Sequence, residues 1–296
     1  NRLIRNTIGM GGTAKLNNNF TLSGTINYVK TDMKTPPNGT SFGSGSDFGS
    51  VFGDIIYTPR NIDLMNWPYQ NPIDGSSVYY RGPNDIQNPR WTVNNAFVGS
   101  KVQRTYGNLM LKYDIIKGLS ASYRFGYDNY SEYQFYSVNK GAADGFPLGI
   151  HQTTSASNQI LNHDFFLNYL TDLGENWDLT VDAGFNSVER TYQQNGLRST
   201  NQLVFGLFDH DNFVNYTPNG LDYLVKSQSM GVYANASLGY KQFLYVNVGG
   251  RNGWSSTLEK ANRSLFYPSV SASFIPTSAF AGLQNSNFLN YLKIRA

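Results

Sequence analysis

The sequence predicts an all-β fold, a transmembrane antiparallel up-and-down β-barrel, and three observations carry that prediction. Apolar and polar residues alternate along segments of roughly 10 to 14 residues, close to the length that a tilted strand needs to cross a bilayer and longer than most soluble strands. Short turns and long polar connections alternate between these segments, as in outer-membrane barrels. Among 296 residues only 15% are charged, while 21 are Tyr and 29 are Gly, a composition typical of many strands and turns.

The same composition argues against several other classes of protein. The net charge is +3 and the basic residues are scattered, so nothing indicates nucleic-acid binding. Cysteine is absent, which excludes disulfides, thiol catalysis and cysteine-ligated metal. The mean hydropathy is −0.40 and no apolar run reaches 18 residues, but barrel strands need only alternate apolar positions.

The strands follow from the alternation, taken in chain order. In the first hairpin Ile8 and Met10 alternate with Thr7 and Gly9, and the turn is the "NNN" at 17–19. The turns of the next three hairpins are "IKG", "GEN" and "YKQ". The predicted strands are 6–16, 20–30, 103–115, 119–133, 160–173, 177–190, 228–239, 243–254 and 266–274. The last residues, "LNYLKIRA", have the pattern of a tenth strand that begins there.

The connections at the other end of the strands are long and polar. They are predicted at about 34–100, 134–158 and 191–226. Outer-membrane barrels have short periplasmic turns and long outside loops, so the three long connections are expected to be extracellular. Aromatic residues near strand ends, such as Phe20 and Trp177 beside tight turns, suit the two membrane interfaces.

The alternation also divides the side chains between two environments. In a membrane barrel the apolar positions face lipid and the polar positions face a wet lumen. The positions predicted to face lipid are Ala121, Tyr123, Phe125, Leu179, Val181 and Val246. Those predicted to face the lumen are Arg124, Asp128, Asp178, Asp182 and Arg251. The charged lumen residues are expected either to contact substrate or plug, or to neutralise one another along the wall.

Candidate binding residues lie mainly in the first long connection. Its aromatic residues are expected either to stack on sugar rings or contact a partner, or to pack the connection against itself. These residues are Trp67, Tyr69, Tyr79, Tyr80 and Trp91. "FDHDN" at 208–212 offers only a weak metal or acid–base cluster, which a solvated turn explains as well, and His151 and His163 have no evident partner. No catalytic residue, metal ligand or cofactor is predicted.

Several short motifs resemble a known family in their order and spacing. "NPRW" at 88–91 precedes a strand pair that continues into "GLSASYRFGYD", and "GYKQFLYVNVGGRNGWSSTL" follows at 239–258. "FYPSVSASF" and "LNYLKIRA" come next. Together they resemble the mid-barrel region of SusC/RagA-type TonB-linked outer-membrane transporters of Bacteroidetes. Asn252 and the inserted Trp254 depart from the family's Arg-Asp-Gly-Ser-Ser-like corner.

That resemblance implies a function and a set of partners. The chain would be an excerpt of nine to ten strands from a plugged barrel of about 22 strands, without the plug or TonB-box segment. The whole protein would import an oligosaccharide or peptide across the outer membrane of a Gram-negative bacterium, with energy delivered through TonB and a SusD-like lipoprotein capping the barrel. It would not be an enzyme. The alternatives are a passive porin and, third, a soluble secreted carbohydrate-binding β-protein.

Overall fold

The chain forms one antiparallel sheet, described by a computed structural model for residues 2–17, 19–37, 51–80, 87–143, 145–218, 222–284 and 288–296. The strands are β1 (Arg2–Lys15), β2 (Phe20–Thr35), β3 (Ala96–Ile116), β4 (Leu119–Val138), β5 (Ile150–Asp172), β6 (Trp177–Gln202), β7 (Phe213–Pro218), β8 (Tyr223–Tyr240), β9 (Leu244–Ser255), β10 (Ser264–Phe274) and β11 (Ile294–Arg295). Strands adjacent in sequence are adjacent in the sheet, except that β6 pairs with both β7 and β8. The predicted up-and-down antiparallel fold is therefore confirmed.

The short turns have local chemical causes. At the β1–β2 turn the Asn17 Oδ1 accepts hydrogen bonds from the backbone N–H groups of Asn19 (2.9 Å) and Phe20 (2.8 Å). At the β3–β4 turn Gly118 has a φ of +83°, and an added Cβ would lie 2.1 Å from the backbone oxygen of Leu170. This position therefore requires glycine on two grounds.

The strands are longer than the alternation predicts, which corrects two of the long connections. β4 runs to Val138 and β5 begins at Ile150, so only 139–149 connects them rather than 134–158. The predicted loop 191–226 contains the end of β6, all of β7 and the start of β8. Segments such as 150–158 and 191–202 are polar on both faces, so alternation ends there while backbone pairing continues.

The first long connection is also more ordered than a plain loop. It joins β2 to β3 over 36–95 and contains helices α1 (Val51–Tyr57) and α2 (Pro89–Asn95); its segments 38–50 and 81–86 lie outside the described residues. The Asn88 side chain accepts a hydrogen bond from the Arg90 backbone N–H at 3.0 Å, and Pro89 opens the helix, a combination that favours a start there.

Two four-residue helices, α3 (Pro276–Ala279) and α4 (Ala281–Gln284), follow β10. Among the described residues, no helix is long and apolar enough to cross a membrane.

The buried apolar core lies where the first long connection packs on the strand ends. It consists of Trp91, Ala96, Val138, Ala142 and Ile150, and Tyr69, Tyr136 and Phe146 pack against it. Elsewhere the sheet exposes many large apolar side chains, including Val270 (74%) and Met10 (70%). The long strands thus carry an apolar surface that this chain does not cover.

Candidate functional site

The register separates the side chains into an apolar face and a polar face. Directly opposed residues on antiparallel strands point to the same side of the sheet. One row of opposed residues across β2 to β8 consists of Leu22, Leu111, Tyr123, Phe165, Phe185 and Val232. The six residues predicted to face lipid all belong to this apolar face: Ala121, Tyr123, Phe125, Leu179, Val181 and Val246.

Aromatic rings line the short-turn end of the apolar face. Phe20 stacks on Tyr113 with ring centroids 4.3 Å apart. In a second set, the ring centroids of Trp177 and Tyr240 lie 4.5 Å apart. Three more rings continue this set, with successive centroids 5.4 to 6.0 Å apart. The further rings of that chain are Phe243, Phe274 and Phe280. Such a row matches the aromatic girdle of a membrane barrel at one interface.

The five residues predicted to face the lumen lie on the polar face: Arg124, Asp128, Asp178, Asp182 and Arg251. Three of them have polar side-chain partners. Arg104 makes a two-pronged contact with Asp128, at 2.8 and 2.5 Å, and the Asn168 amide donates to Asp182 at 2.6 Å. Arg124 pairs with Asp164. The structure therefore pairs most of these charges with neighbours on the wall.

The centre of the polar face is a cluster around Asp164, which we call the Asp164 cluster: Arg124, Asn162, Asp164 and Asn186. Arg124 donates to Asp164 Oδ2 from Nε (2.9 Å) and from a terminal nitrogen (2.7 Å). The Asn162 amide donates to the same oxygen at 2.8 Å, and the Asn186 amide donates to Oδ1 at 2.5 Å. Asp164 is only 4% exposed, whereas the Arg124 side chain remains 45% exposed. The carboxylate is buried and the guanidinium stays available on the surface.

Sequence reasoning missed Arg104 and the other three members of the Asp164 cluster. Asp164 is at a polar position of the alternation in "ILNHDFF", so the sequence could have predicted that it lies on the polar face. Its contact with Arg124 depends on the β4–β5 register, in which the two residues are directly opposed. A long connection joins those strands, and its length does not fix a register.

The predicted binding aromatics of the first long connection separate into buried and accessible residues. Trp91 is fully buried and its indole N–H donates to the Gly75 backbone oxygen at 2.8 Å, so it packs the connection rather than presenting a face to ligand. Of the two expectations for Trp91, binding of a ligand or partner is therefore wrong and packing of the connection against itself is confirmed. Tyr69 packs beside the same core, with the Arg90 guanidinium 4.6 Å from its ring centroid.

The other aromatics of that connection are more accessible. Trp67 is 37% exposed. The hydroxyl groups of Tyr79 and Thr58 are hydrogen-bonded at 2.7 Å. The ring centroids of Tyr79 and Tyr80 lie 4.4 Å apart. Burial raises the Tyr79 pKa, so the phenol stays protonated and retains a donor.

Helix α1 exposes an apolar surface, formed by Phe52, Ile55 and Ile56, that we call the α1 patch. Their exposed fractions are 65%, 48% and 57%. The spacing of three and four residues places the three side chains on one side of the helix. Contiguous exposed apolar residues of this kind indicate an interaction surface.

A histidine cluster joins the β6–β7 connection to the sheet. The rings of His151 and His210 lie 4.6 Å apart, with Phe208 and Phe213 beside His151. Each His Nδ1 lies within hydrogen-bond distance of a serine hydroxyl, Ser137 at 2.8 Å and Ser199 at 2.7 Å. The sequence showed no partner for His151 or His163, but the structure gives a partner to each. The Nδ1 of His163 lies 2.7 Å from the Tyr123 hydroxyl.

The histidine cluster predicts a pH dependence. Burial, with a further contribution from His210 and opposed by Asp209, lowers the His151 pKa to about 4. Because an unfolded His titrates at about 6.5, the packed form is favoured above that pH and loses stability as pH falls towards 4. We expect backbone amides of 210–218 to exchange faster at pH 5 than at pH 7, after correction for intrinsic rates. His151→Phe should reduce the difference and leave the part that is due to His210, whose pKa is also lowered by burial; an unchanged difference in that variant would show that His151 does not cause it.

Comparison with known proteins identifies the fold. No protein-family model and no curated protein matches the sequence. The RagAB peptide importer in its open-open state matches at a TM-score of 0.76 and 18% identity, and in its closed-closed state at 0.77 and 16%; each match covers 99% of this chain and 32% of that chain. A further RagAB peptide transporter structure matches at 0.75 and 18%, covering 98% and 32%. The expected likeness to a SusC/RagA-type barrel is therefore confirmed for the fold, over about a third of the matched chain's length.

Proposed function

We propose that this chain is part of the barrel of a SusC/RagA-type active importer in the outer membrane of a Gram-negative bacterium of the Bacteroidetes. The observation that carries the proposal is the agreement of nearly the whole chain with about a third of the RagAB peptide importer chain. The apolar face contacts lipid and the polar face lines the lumen. Strands beyond this chain pair with β1 and β10–β11, whose open edges lipid does not tolerate.

The polar face offers hydrogen-bond donors that a molecule in the lumen could bind. The Asp164 cluster fixes a buried carboxylate and leaves the Arg124 guanidinium half exposed towards the interior. An arginine held in this way presents its remaining N–H donors to a carbonyl or carboxylate. Peptide cargo, a plug domain and an oligosaccharide all carry such acceptors. On the likeness to the RagAB peptide importer, the cargo that we propose is a peptide or an oligosaccharide, with energy entering through TonB.

Energy-dependent uptake tests this function. A strain lacking the full-length protein that contains this chain should lose accumulation of one class of labelled oligopeptide or oligosaccharide. Restoring the gene should restore uptake only while TonB is present and the inner membrane is energised. Uptake that persists without TonB would favour the passive porin, and absence of the protein from outer-membrane fractions would overturn both membrane proposals.

The α1 patch is the surface that we propose for the capping SusD-like lipoprotein. It lies on the first long connection, at the end of the sheet that faces outward in this orientation. Phe52→Asp with Ile56→Asp should reduce co-purification of the lipoprotein while barrel abundance stays constant. Leu207→Asp is the matched control, because Leu207 is 52% exposed on the β6–β7 connection. Equal retention by both variants would place the partner elsewhere.

A further inference from the structure

Two hollows lie one above the other on the apolar face, outside the lumen. The lower hollow has a volume of about 480 Å³ and is lined by Met10, Ile26, Leu109, Phe125 and Tyr127. Its floor is glycine: Gly12 is opposed to Gly24, and Gly107 is opposed to Ile26. Because these glycines carry no side chain, the lipid-facing surface has a depression between larger apolar neighbours.

The upper hollow is polar and has a volume of about 560 Å³. One row of opposed residues along it consists of Gln103, Ser131, Ser157 and Gln193. The next row towards the long connections contains Lys101 and Tyr133. These rows present amide and hydroxyl groups, which both donate and accept hydrogen bonds, beside one ammonium group.

Strand β3 contributes to both hollows, with Gly107 in the row beside the lower one and Gln103 in the row beside the upper one. Gly107 and Gln103 point to the same side and are four residues apart, about 13 Å along the strand. The surface therefore changes from apolar to polar over a distance comparable with the step from acyl chains to headgroup. In the orientation proposed above, the polar hollow lies on the outward side.

The lining of the upper hollow includes one acid, Glu132, whose side chain points to the polar face and accepts a hydrogen bond from the Ser100 hydroxyl at 2.7 Å, so the free charges on the side of the hollow itself are lysines. Lys30 is opposed to Gln103, and Lys101 forms part of the wall. Neither lysine has an ion-pair partner among the described residues. Asp32 is directly opposed to Lys101 on the same face, but its carboxylate is already paired with Arg2 at 2.9 Å. An anionic group is thus favoured here.

We propose that the two hollows bind one glycolipid of the outer leaflet, with an acyl chain in the glycine-floored hollow and a phosphorylated sugar headgroup in the polar hollow. Lys30 and Lys101 pair with the phosphate, and the amide and hydroxyl row binds sugar hydroxyls. The neutral polar row favours a sugar over a small phospholipid headgroup, which needs only the two cations. This inference rests on the proposed outer-membrane location.

The test quantifies lipids that remain bound to the full-length protein after extraction in mild detergent. Lys30→Glu with Lys101→Glu should lower bound phosphorylated glycolipid by about fivefold or more for each charge changed. Gly12→Leu should lower it by filling the lower hollow, and it should fold because a Cβ at Gly12 meets nothing within 4 Å. Lys117→Glu, in the turn at the opposite end of the strands, is the matched control.

The outcomes separate this inference from the proposed function. Equal glycolipid on wild type and on both sets of variants, or selective retention of phospholipid instead, would overturn the glycolipid site while uptake and outer-membrane location stay intact. Absence of the wild-type protein from the outer membrane would overturn the proposed function as well. Loss of glycolipid in both variants, but not in Lys117→Glu, supports the site.

Discussion

Val181→Arg and Phe125→Arg should each lower the free energy of unfolding by about 2–4 kcal/mol, the cost of placing a cation against lipid near the bilayer midplane. Both residues belong to the apolar face, where Val181 is opposed to Tyr169 and Phe125 to Leu109. The measurement is urea unfolding of the full-length protein in lipid vesicles. The expected loss depends on lipid exposure, because in water an exposed arginine at the same site costs little.

Thr180→Arg is the control for Val181→Arg. Thr180 is the adjacent residue on β6, is opposed to Ser237, and points to the polar face. In a wet lumen its replacement should cost much less than the replacement of Val181. Similar small costs at all three positions would show that neither face meets lipid, which would favour the soluble secreted protein.

Asp164→Ala should destabilise the barrel by about 2–3 kcal/mol, because it removes the shared acceptor of Arg124, Asn162 and Asn186. The loss should stay below that of a fully buried ion pair, since the half-exposed Arg124 regains water. Unfolding of Asp164→Ala, Arg124→Ala and the double variant gives the coupling free energy between the two residues.

Asp182→Ala is the comparison for that measurement. Asp182 lies on the same face and, within the described part of the chain, accepts a single side-chain hydrogen bond, from Asn168. Its loss should cost about 1 kcal/mol or less. If Asp164→Ala costs no more than Asp182→Ala, the Asp164 cluster is a surface arrangement without a structural role in the wall.

The sequence placed the strands well wherever one face is apolar and the other polar. The starts of β4 and β6 at Leu119 and Trp177 agree with the predicted bounds, because a tight turn and the first apolar residue coincide there. The outward ends were placed too early by several residues, as at Val138 and Gln202. Beyond the apolar band the strands stay paired, but their side chains are polar on both faces. The alternation of apolar and polar residues therefore cannot show where the strands end.

The loop aromatics show a different limit. Trp91 and Tyr80 are alike in the sequence, each an aromatic residue in a long polar connection. Only the folded connection shows that Trp91 packs with Val138 and Ile150, which lie on strands distant along the chain. Burial is a sum over such contacts, so no local pattern reveals it.

The sequence by itself determined the strand pattern, the face to which each strand residue points, and the unequal ends of the sheet, because all three are local consequences of a two-residue repeat and of turn chemistry. The tertiary structure alone decided which residues distant along the chain meet, such as Arg124 with Asp164 and His151 with His210. Those contacts depend on register and on how the connections fold back over the strand ends.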